Sequence, residues 1–206
     1  MRASLFVLSL FALAPCGCGS NSAQPAAAAP VPVPVPAGPM FDTLEYANWK
    51  KFPVGTTVKR RASTCGKDGK VAVVSVETFT LKALTADEVE VVRQNTTERT
   101  DGSYKSVNPE GTLRFKRQFA IPNGMTAADF NKPSRKAKSG ADEELIVLGK
   151  KYAAATFTWA DATEAGPLEI KVWLSDEVPG RVLKQVMTQN ALGNTTTDEV
   201  IELKVP

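Results

Sequence analysis

Hydrophobic and polar residues alternate with a period of two along most of the chain after residue 40. Residues 168–174 read Leu-Glu-Ile-Lys-Val-Trp-Leu, and residues 201–205 read Ile-Glu-Leu-Lys-Val. This alternation is typical of β-strands with one buried face, and helices do not produce it over so many segments. The pattern predicts nine strands, at residues 56–63, 70–83, 88–97, 112–121, 143–148, 151–160, 168–174, 182–189 and 196–205.

Most of these predicted strands are separated by short turns. The segment Cys65-Gly66-Lys67-Asp68-Gly69 is the clearest, because Asp-Gly is a strong signal for a tight hairpin turn. Strands joined by short turns pair as antiparallel neighbours, so we predict a mainly β fold, an antiparallel meander of about nine strands. A flat sheet of that size would leave one face bare, which favours a curved sheet, a half-barrel or a barrel.

Two short helices are expected to interrupt the strand pattern. Residues 41–49 predict one helix, with Asp42 or Thr43 as its N-cap, and Pro53 follows soon after. Residues 125–131 predict a second helix, which Thr126 caps. The fold is therefore a β-sheet with one or two small helical additions.

The first residues of the chain have the layout of a signal peptide. Met1-Arg2 is a short, positively charged start, and residues 3–14 form an apolar run. That run is too short to span a bilayer, which takes roughly 20 residues. It fits the apolar region of a secretory signal, which is removed from the mature protein. We predict an exported precursor with its signal peptide at residues 1–17.

Two cysteines, Cys16 and Cys18, follow the apolar run. The segment resembles the lipobox of bacterial lipoproteins, usually Leu-small-small-Cys, which implies cleavage before the cysteine, a diacylglycerol on its thiol and acylation of the new N-terminus. Cys16 has Leu13 in a suitable place but Pro15 at the cut, whereas Cys18 has Gly17 at the cut. The residue at the cut is the stricter requirement, so Cys18 is the preferred lipidation site and Cys16 the alternative. Secretion without lipidation is the remaining alternative.

Residues 19–39 form an uncharged linker rich in proline and alanine, with repeated Val-Pro. Each residue before a proline is restricted to extended geometry, so the linker is expected to be a semi-stiff polyproline II spacer. We therefore divide the chain into a signal peptide at 1–17, a lipidation cysteine and linker at 18–39, and a β-rich globular domain at 40–206. The predicted location is the cell envelope, with the domain anchored to a membrane by its lipid and facing the periplasm or the cell surface.

A second resemblance concerns the domain itself. The strings at residues 49–58 (WKKFPVGTTV) and 171–180 (KVWLSDEVPG) look like segments of small exported bacterial proteins of unassigned role. The overall plan is also similar to the half-barrel carriers and receptors of lipoprotein sorting. These resemblances imply a concave sheet that binds an acyl chain or another apolar ligand.

The composition excludes several kinds of chemistry. The chain contains no histidine, which removes Ser-His-Asp and Cys-His catalysis and the commonest metal ligand. No glycine-rich phosphate loop or calcium-loop spacing is present, so we predict no catalytic residue, no cofactor and no metal site. After residue 40 the chain has 24 basic and 22 acidic residues, a net charge of +2. This balance gives no reason to expect a nucleic-acid partner.

The remaining candidates for chemistry have a structural interpretation. Cys65, the single thiol after the lipobox, is expected in a turn and to be dispensable, because no nearby group would activate it. Acidic residues recur in small groups, which we interpret as the solvated ends of hairpins. These groups are Asp87/Glu88, Asp142/Glu143/Glu144, Asp161/Glu164, Asp176/Glu177 and Asp198/Glu199.

Two features are candidates for binding. A basic cluster after the second predicted helix is a candidate contact for anions or lipid head groups, with a solvated loop as the alternative. Two tryptophans in neighbouring predicted strands are candidate ligand-facing aromatics, with a second hydrophobic layer under a helix as the alternative. The basic residues are Lys132, Arg135, Lys136 and Lys138, and the aromatic residues are Trp159 and Trp173.

Taken together, these features predict a non-catalytic envelope lipoprotein. Its partners are expected to be the membrane, through the lipid anchor, and a lipid or envelope protein. A domain that binds a lipid or other apolar ligand and a structural or adaptor domain with protein partners are the two main alternatives. An enzyme of unfamiliar type is a third and less favoured one.

Overall fold

The computed structural model describes residues 38–206, so the two candidate lipidation cysteines, the signal peptide and almost all of the linker lie outside it. Within that range the chain forms two helices, α1 (Leu44–Trp49) and α2 (Ala127–Phe130), and twelve strands. The strands are β1 (Met40–Asp42), β2 (Thr57–Cys65), β3 (Val71–Leu84), β4 (Glu88–Arg99), β5 (Lys105–Lys116), β6 (Gln118–Ala120), β7 (Lys138–Ser139), β8 (Glu143–Val147), β9 (Lys150–Thr163), β10 (Gly166–Leu174), β11 (Val182–Gln189) and β12 (Asn194–Lys204).

Ten of these strands form one antiparallel sheet, which confirms the predicted mainly β meander. The strand order is β5-β4-β3-β2-β12-β11-β10-β9-β7, and β8 also pairs with β9. Two consecutive meanders, β2 to β5 and β9 to β12, join where β2 pairs with β12. The sheet is curved. It is not closed into a barrel, because the strands at its two ends, β5 and β7, do not pair with each other.

The hairpin between β2 and β3 forms where it was predicted. Gly69 has a φ of 73°, a left-handed conformation that glycine adopts without strain. The Lys70 N–H donates to the Asp68 carboxylate at 3.0 Å, which closes the turn. Cys65, however, is the last residue of β2 and pairs with Val71. The placement of Cys65 in the turn was therefore wrong, because the ladder continues further than the sequence pattern indicated.

The predicted helix at residues 41–49 begins later than expected. Phe41 belongs to β1, where it pairs with Phe119 of β6 in a separate two-stranded ribbon. Helix α1 follows, with Thr43 as its N-cap residue. The second helix, α2, keeps its predicted cap, since the N–H and the hydroxyl of Thr126 both donate to the Asp129 carboxylate, at 2.8 and 3.0 Å. No helix within residues 38–206 is long and apolar enough to cross a membrane.

The predicted strand at residues 112–121 is two strands, because the chain leaves the main sheet at Arg117. The Arg117 N–H donates to the Asp87 carbonyl oxygen at 2.6 Å, and the Arg117 carbonyl accepts from the Thr43 N–H at 2.9 Å. These bonds end β5 and turn the chain into β6. Arg117 interrupts the apolar series, but Phe119 and Ile121 resume it in the same register, so the sequence pattern still indicates a single strand.

The hydrophobic core joins α1 to the sheet. Trp49 is 2% exposed, and Leu81, Val89 and Val91 of β3 and β4 are fully buried. Fully burying a side chain of this size contributes about 1.5–3 kcal/mol. Because a helix of six residues is not stable by itself, this packing stabilises α1.

Candidate ligand-binding site

Helix α1 is bound to the sheet through two different loops. The Tyr46 hydroxyl donates to the carbonyl oxygen of Thr85, in the turn between β3 and β4, at 2.9 Å. The Asn48 amide donates to the Asp176 carbonyl at 3.2 Å and accepts from the Gly180 N–H at 2.8 Å, both in the loop between β10 and β11. Asn48 is 1% exposed, so these bonds are shielded from water. They hold α1 at a defined place above the sheet.

A cavity of about 120 Å³ lies between α1 and the sheet. Its floor comes from β2 to β5, where Val58 pairs with Phe79 and Val91 pairs with Leu113. Paired residues point to the same face of a sheet, so these apolar side chains face α1 together. We call this side of the sheet the α1 face. The residues that line the cavity are Glu45, Trp49, Val58, Arg60, Phe79, Val91, Leu113, Phe115, Pro179 and Gly180.

A row of four charged residues crosses the α1 face beside the cavity. The Arg60 guanidinium lies 2.5 Å from the Asp198 carboxylate and 3.7 Å from the Glu77 carboxylate. Arg93 forms an ion pair with the other oxygen of Glu77. The row contains two cations and two carboxylates, on the adjacent strands β12, β2, β3 and β4, and has no net charge when all four groups are ionised. We call these four residues the ionic row.

Arg60 belongs both to the ionic row and to the cavity lining. Its guanidinium carbon lies 5.4 Å from the centre of the Phe79 ring, within the range of a cation–π interaction. Its Nε–H is buried and has no hydrogen-bond partner within residues 38–206. A buried donor without a partner costs about 1–3 kcal/mol. Arg60 therefore contributes an unsatisfied donor, shielded from solvent, to the wall of the cavity.

Burial raises the pKa of the Asp198 carboxyl above its ordinary value of 3.8. The positive charge of Arg60 opposes this shift, while the negative charges of Glu77 and Glu199 add to it. Asp198 is 7% exposed and lies inside β12. The interpretation of Asp198 and Glu199 as a solvated hairpin end was therefore wrong, because both residues lie within the strand.

Hydroxyl groups occupy the α1 face beyond the ionic row. The hydroxyls of Thr64 and Thr196 lie 2.9 Å apart, and those of Ser75 and Thr97 lie 2.8 Å apart. Each pair bridges two neighbouring strands. The α1 face thus changes from apolar under the helix, through charged, to hydroxyl-bearing at the far end of the same strands.

The structure brings one residue of the predicted basic cluster next to one of the predicted tryptophans. The Lys136 ammonium donates to one Asp161 oxygen at 2.9 Å, and the Trp159 indole N–H donates to the other at 3.0 Å. Hydrogen bonds from Lys136 and Trp159 lower the pKa of the Asp161 carboxyl. The polar groups of Lys136 and Trp159 therefore both donate hydrogen bonds to Asp161.

Of the other basic residues, only Lys138 lines an open groove on the sheet, together with Lys136. Lys138 lies in β7, beside Thr158 of β9. Lys132 and Arg135 are exposed and lie near the Asp129 carboxylate. Hydrogen bonds from Thr126 are the main cause of the lowered pKa of Asp129, and the charges of Arg135 and Lys132 contribute less. The groove measures about 410 Å³ and is lined by Lys136, Lys138, Thr158, Trp159, Ala160, Glu169, Ile170, Lys171, Val186 and Thr188.

Trp173 and Trp159 lie in neighbouring strands as predicted but on opposite faces of the sheet, because Trp159 pairs with Ile170 and Trp173 with Thr156. Trp173 is 8% exposed and belongs to the hydrophobic core. Its indole N–H donates to the Glu143 carboxylate at 2.7 Å. This bond, followed by one from Lys171, lowers the pKa of Glu143. The two tryptophans therefore do not form a common surface.

The cavity residues were not among the sequence candidates. The period-two pattern places Leu113 and Phe115 on one face of their strand, but it does not say that Trp49 covers them. The ionic row was also missed, since Arg60 and Asp198 are 138 residues apart. Among residues 38–206, no group of three or more Cys, Asp or Glu side chains is arranged to hold a metal ion.

No family model matches the chain, and no curated protein matches its sequence. Several solved structures are similar in shape. A Bacteroides fragilis protein, provisionally described as exported and of YmcC-like fold, is 10% identical with a TM-score of 0.46, over 74% of this chain and 97% of its own. A provisionally described lipoprotein from Parabacteroides distasonis is 12% identical with a TM-score of 0.46, over 79% of this chain and 100% of its own.

The lipoprotein LppX from Mycobacterium tuberculosis is 10% identical with a TM-score of 0.38, over 79% of this chain and 92% of its own. Exported proteins and lipoproteins, the groups that the sequence resembles, are thus among the solved structures similar to this chain. Identities and TM-scores at this level do not transfer a ligand or an activity to it.

Proposed function

We propose that the chain is a non-catalytic lipoprotein of the cell envelope whose β domain binds an acyl chain between α1 and the sheet. The supporting observation is the cavity, in which eight of the ten lining residues carry no charge. Burying one methylene group contributes about 0.8 kcal/mol, so each methylene that enters should tighten binding by roughly fourfold. A cavity of about 120 Å³ accommodates the end of an acyl chain, and the rest of the ligand would continue across the α1 face.

Binding is tested by calorimetric titration of the full chain with 1-decanoylglycerol, a soluble probe with a ten-carbon chain. Leu113→Trp fills the cavity from its floor and should weaken binding at least tenfold. Val107→Trp is the matched control, because Val107 lies on the same strand and is 72% exposed. Circular dichroism should show that both variants are folded.

Equal binding by the wild type and Leu113→Trp would refute the cavity as the site. No binding of any acyl probe would refute ligand binding itself and favour the adaptor alternative. Native mass spectrometry of the protein purified from its own membrane then distinguishes a protein partner from a bound lipid.

The membrane anchor is a separate part of the proposal and rests on the segment around Cys16 and Cys18. Labelled palmitate should enter the protein in vivo, and Cys18→Ser should reduce the label. Undiminished label in the Cys16→Ser, Cys18→Ser double variant would refute lipidation at these cysteines. A chain that is exported but never labelled would support secretion without a lipid.

A further inference from the structure

The α1 face is suited to more than an acyl chain, because its polarity changes in one direction along the strands. Val58 and Arg60 are successive residues of β2 on this face, and Thr64 follows four residues later. In β3 the same direction runs from Phe79 through Glu77. An extended ligand lying along these strands would meet apolar groups at one end and hydrogen-bonding groups at the other.

The charges of the ionic row cancel, which limits the head group that can lie against it. A carboxylate placed beside Arg60 would also approach Glu77 and Asp198, and an ammonium placed beside Glu77 would approach Arg60 and Arg93. Burying an unpaired charge is costly, and like charges held close together repel each other. An uncharged group with several hydroxyls avoids both costs, since it donates to the carboxylates and accepts from the arginines.

We propose that the ligand is an amphipathic lipid whose head group is polar but carries no net charge, such as a glycerol or sugar ester, and that the ionic row selects this head group. This inference rests on the proposed acyl site. The Arg60 Nε–H and the Asn95 side-chain oxygen, both buried and without a partner within residues 38–206, lie at this level of the face. Both atoms are shielded from solvent, so the groups that a hydroxylated head group can reach are the partly exposed guanidinium and carboxylate groups of the row.

Three probes with the same ten-carbon chain separate the contribution of the head group from that of the cavity. They are 1-decanoylglycerol, decanoate and decylammonium, each titrated into the full chain by calorimetry at neutral pH. The wild type should bind 1-decanoylglycerol at least tenfold more tightly than either charged probe. Decanoate or decylammonium binding as tightly as 1-decanoylglycerol would overturn the proposal.

Two variants test whether the ionic row is responsible. Glu77→Gln leaves one uncancelled positive charge and should improve the binding of decanoate relative to 1-decanoylglycerol at least fivefold. Arg93→Gln leaves one uncancelled negative charge. It should improve the binding of decylammonium relative to 1-decanoylglycerol at least fivefold. Arg93 is 46% exposed, so this variant keeps the test usable if Glu77→Gln does not fold.

The matched control is Glu144→Gln, which removes one carboxylate from an exposed ion pair with Lys151 outside the α1 face. It changes the net charge by the same amount as Glu77→Gln. It should leave the affinity of decanoate relative to that of 1-decanoylglycerol unchanged. An equal shift in Glu144→Gln and Glu77→Gln would show a general charge effect and overturn selection by the row. If all three probes bind equally and Leu113→Trp weakens them all, the acyl site stands and head-group selection fails. If none binds, the acyl site fails as well.

Discussion

Arg60 and Asp198 form an ion pair across the junction of β2 and β12, the one ladder that joins the two meanders of the sheet. Their backbones are diagonal neighbours, since Arg60 pairs with Val200 and Asp198 with Ala62. The side chains are 20% and 10% exposed, so water only partly screens the pair. The same contact therefore connects the two halves of the domain and forms part of the candidate site.

We expect Arg60→Met to destabilise the protein by about 2–3 kcal/mol, because it leaves Asp198 and Glu77 without their shared cation. This is below the ~3–5 kcal/mol typical of a fully buried pair, since both partners are partly exposed. Urea unfolding measures the loss. Lys151→Met removes a pair that is 67% and 60% exposed and should cost less than about 0.5 kcal/mol. Equal losses in the two variants would contradict a special role for Arg60.

The raised pKa of Asp198 predicts a pH dependence with a definite sign. A folded-state pKa above the unfolded one means that the folded protein holds the proton more tightly, so the resulting stability is lost as the pH rises through the folded pKa. We expect the stability of the wild type minus that of Asp198→Asn to fall as the pH rises above about 4. Urea unfolding at a series of pH values gives this difference, in which the carboxyls that do not interact with Asp198 cancel. A difference that rises with pH would show that the Arg60 charge outweighs burial.

The position of α1 should depend on Asn48. Asn48→Ala removes two hydrogen bonds and leaves the Gly180 N–H and the Asp176 carbonyl without these partners. We expect a loss of about 2–4 kcal/mol, measured as a lower midpoint of urea unfolding. Asn190→Ala, which removes a single exposed hydrogen bond to Glu169, should change stability far less. Weaker binding of 1-decanoylglycerol to Asn48→Ala would connect the position of α1 to the cavity.

Cys65 should be dispensable. It is half-buried, and its strand position opposite Val71 and Thr195 requires only a small side chain. Cys65→Ser should lower the free energy of unfolding by less than about 1 kcal/mol and leave ligand binding unchanged. A variant that folds normally yet loses binding or its cellular phenotype would contradict this and make Cys65 a functional residue.

Several features followed from local sequence because their causes are local. The alternation at residues 201–205 reflects the pleat of a single strand, and the turn at Asp68-Gly69 depends on the conformational freedom of one glycine. Thr126 was predictable as a cap, since its partner Asp129 is only three residues away. Such signals were sufficient for a mainly β chain with antiparallel neighbours.

Tertiary structure decided the site, because its parts are distant in sequence. The alternation allowed residues 112–121 to be one strand, and only the backbone bonds of Arg117 to Asp87 and Thr43 end β5 there. Asp198 belongs to an acidic pair typical of a solvated turn, yet strand register buries it against Arg60. A period-two pattern determines which residues share a face of one strand, whereas the pairing of β2 with β12 and the packing of α1 determine which faces meet.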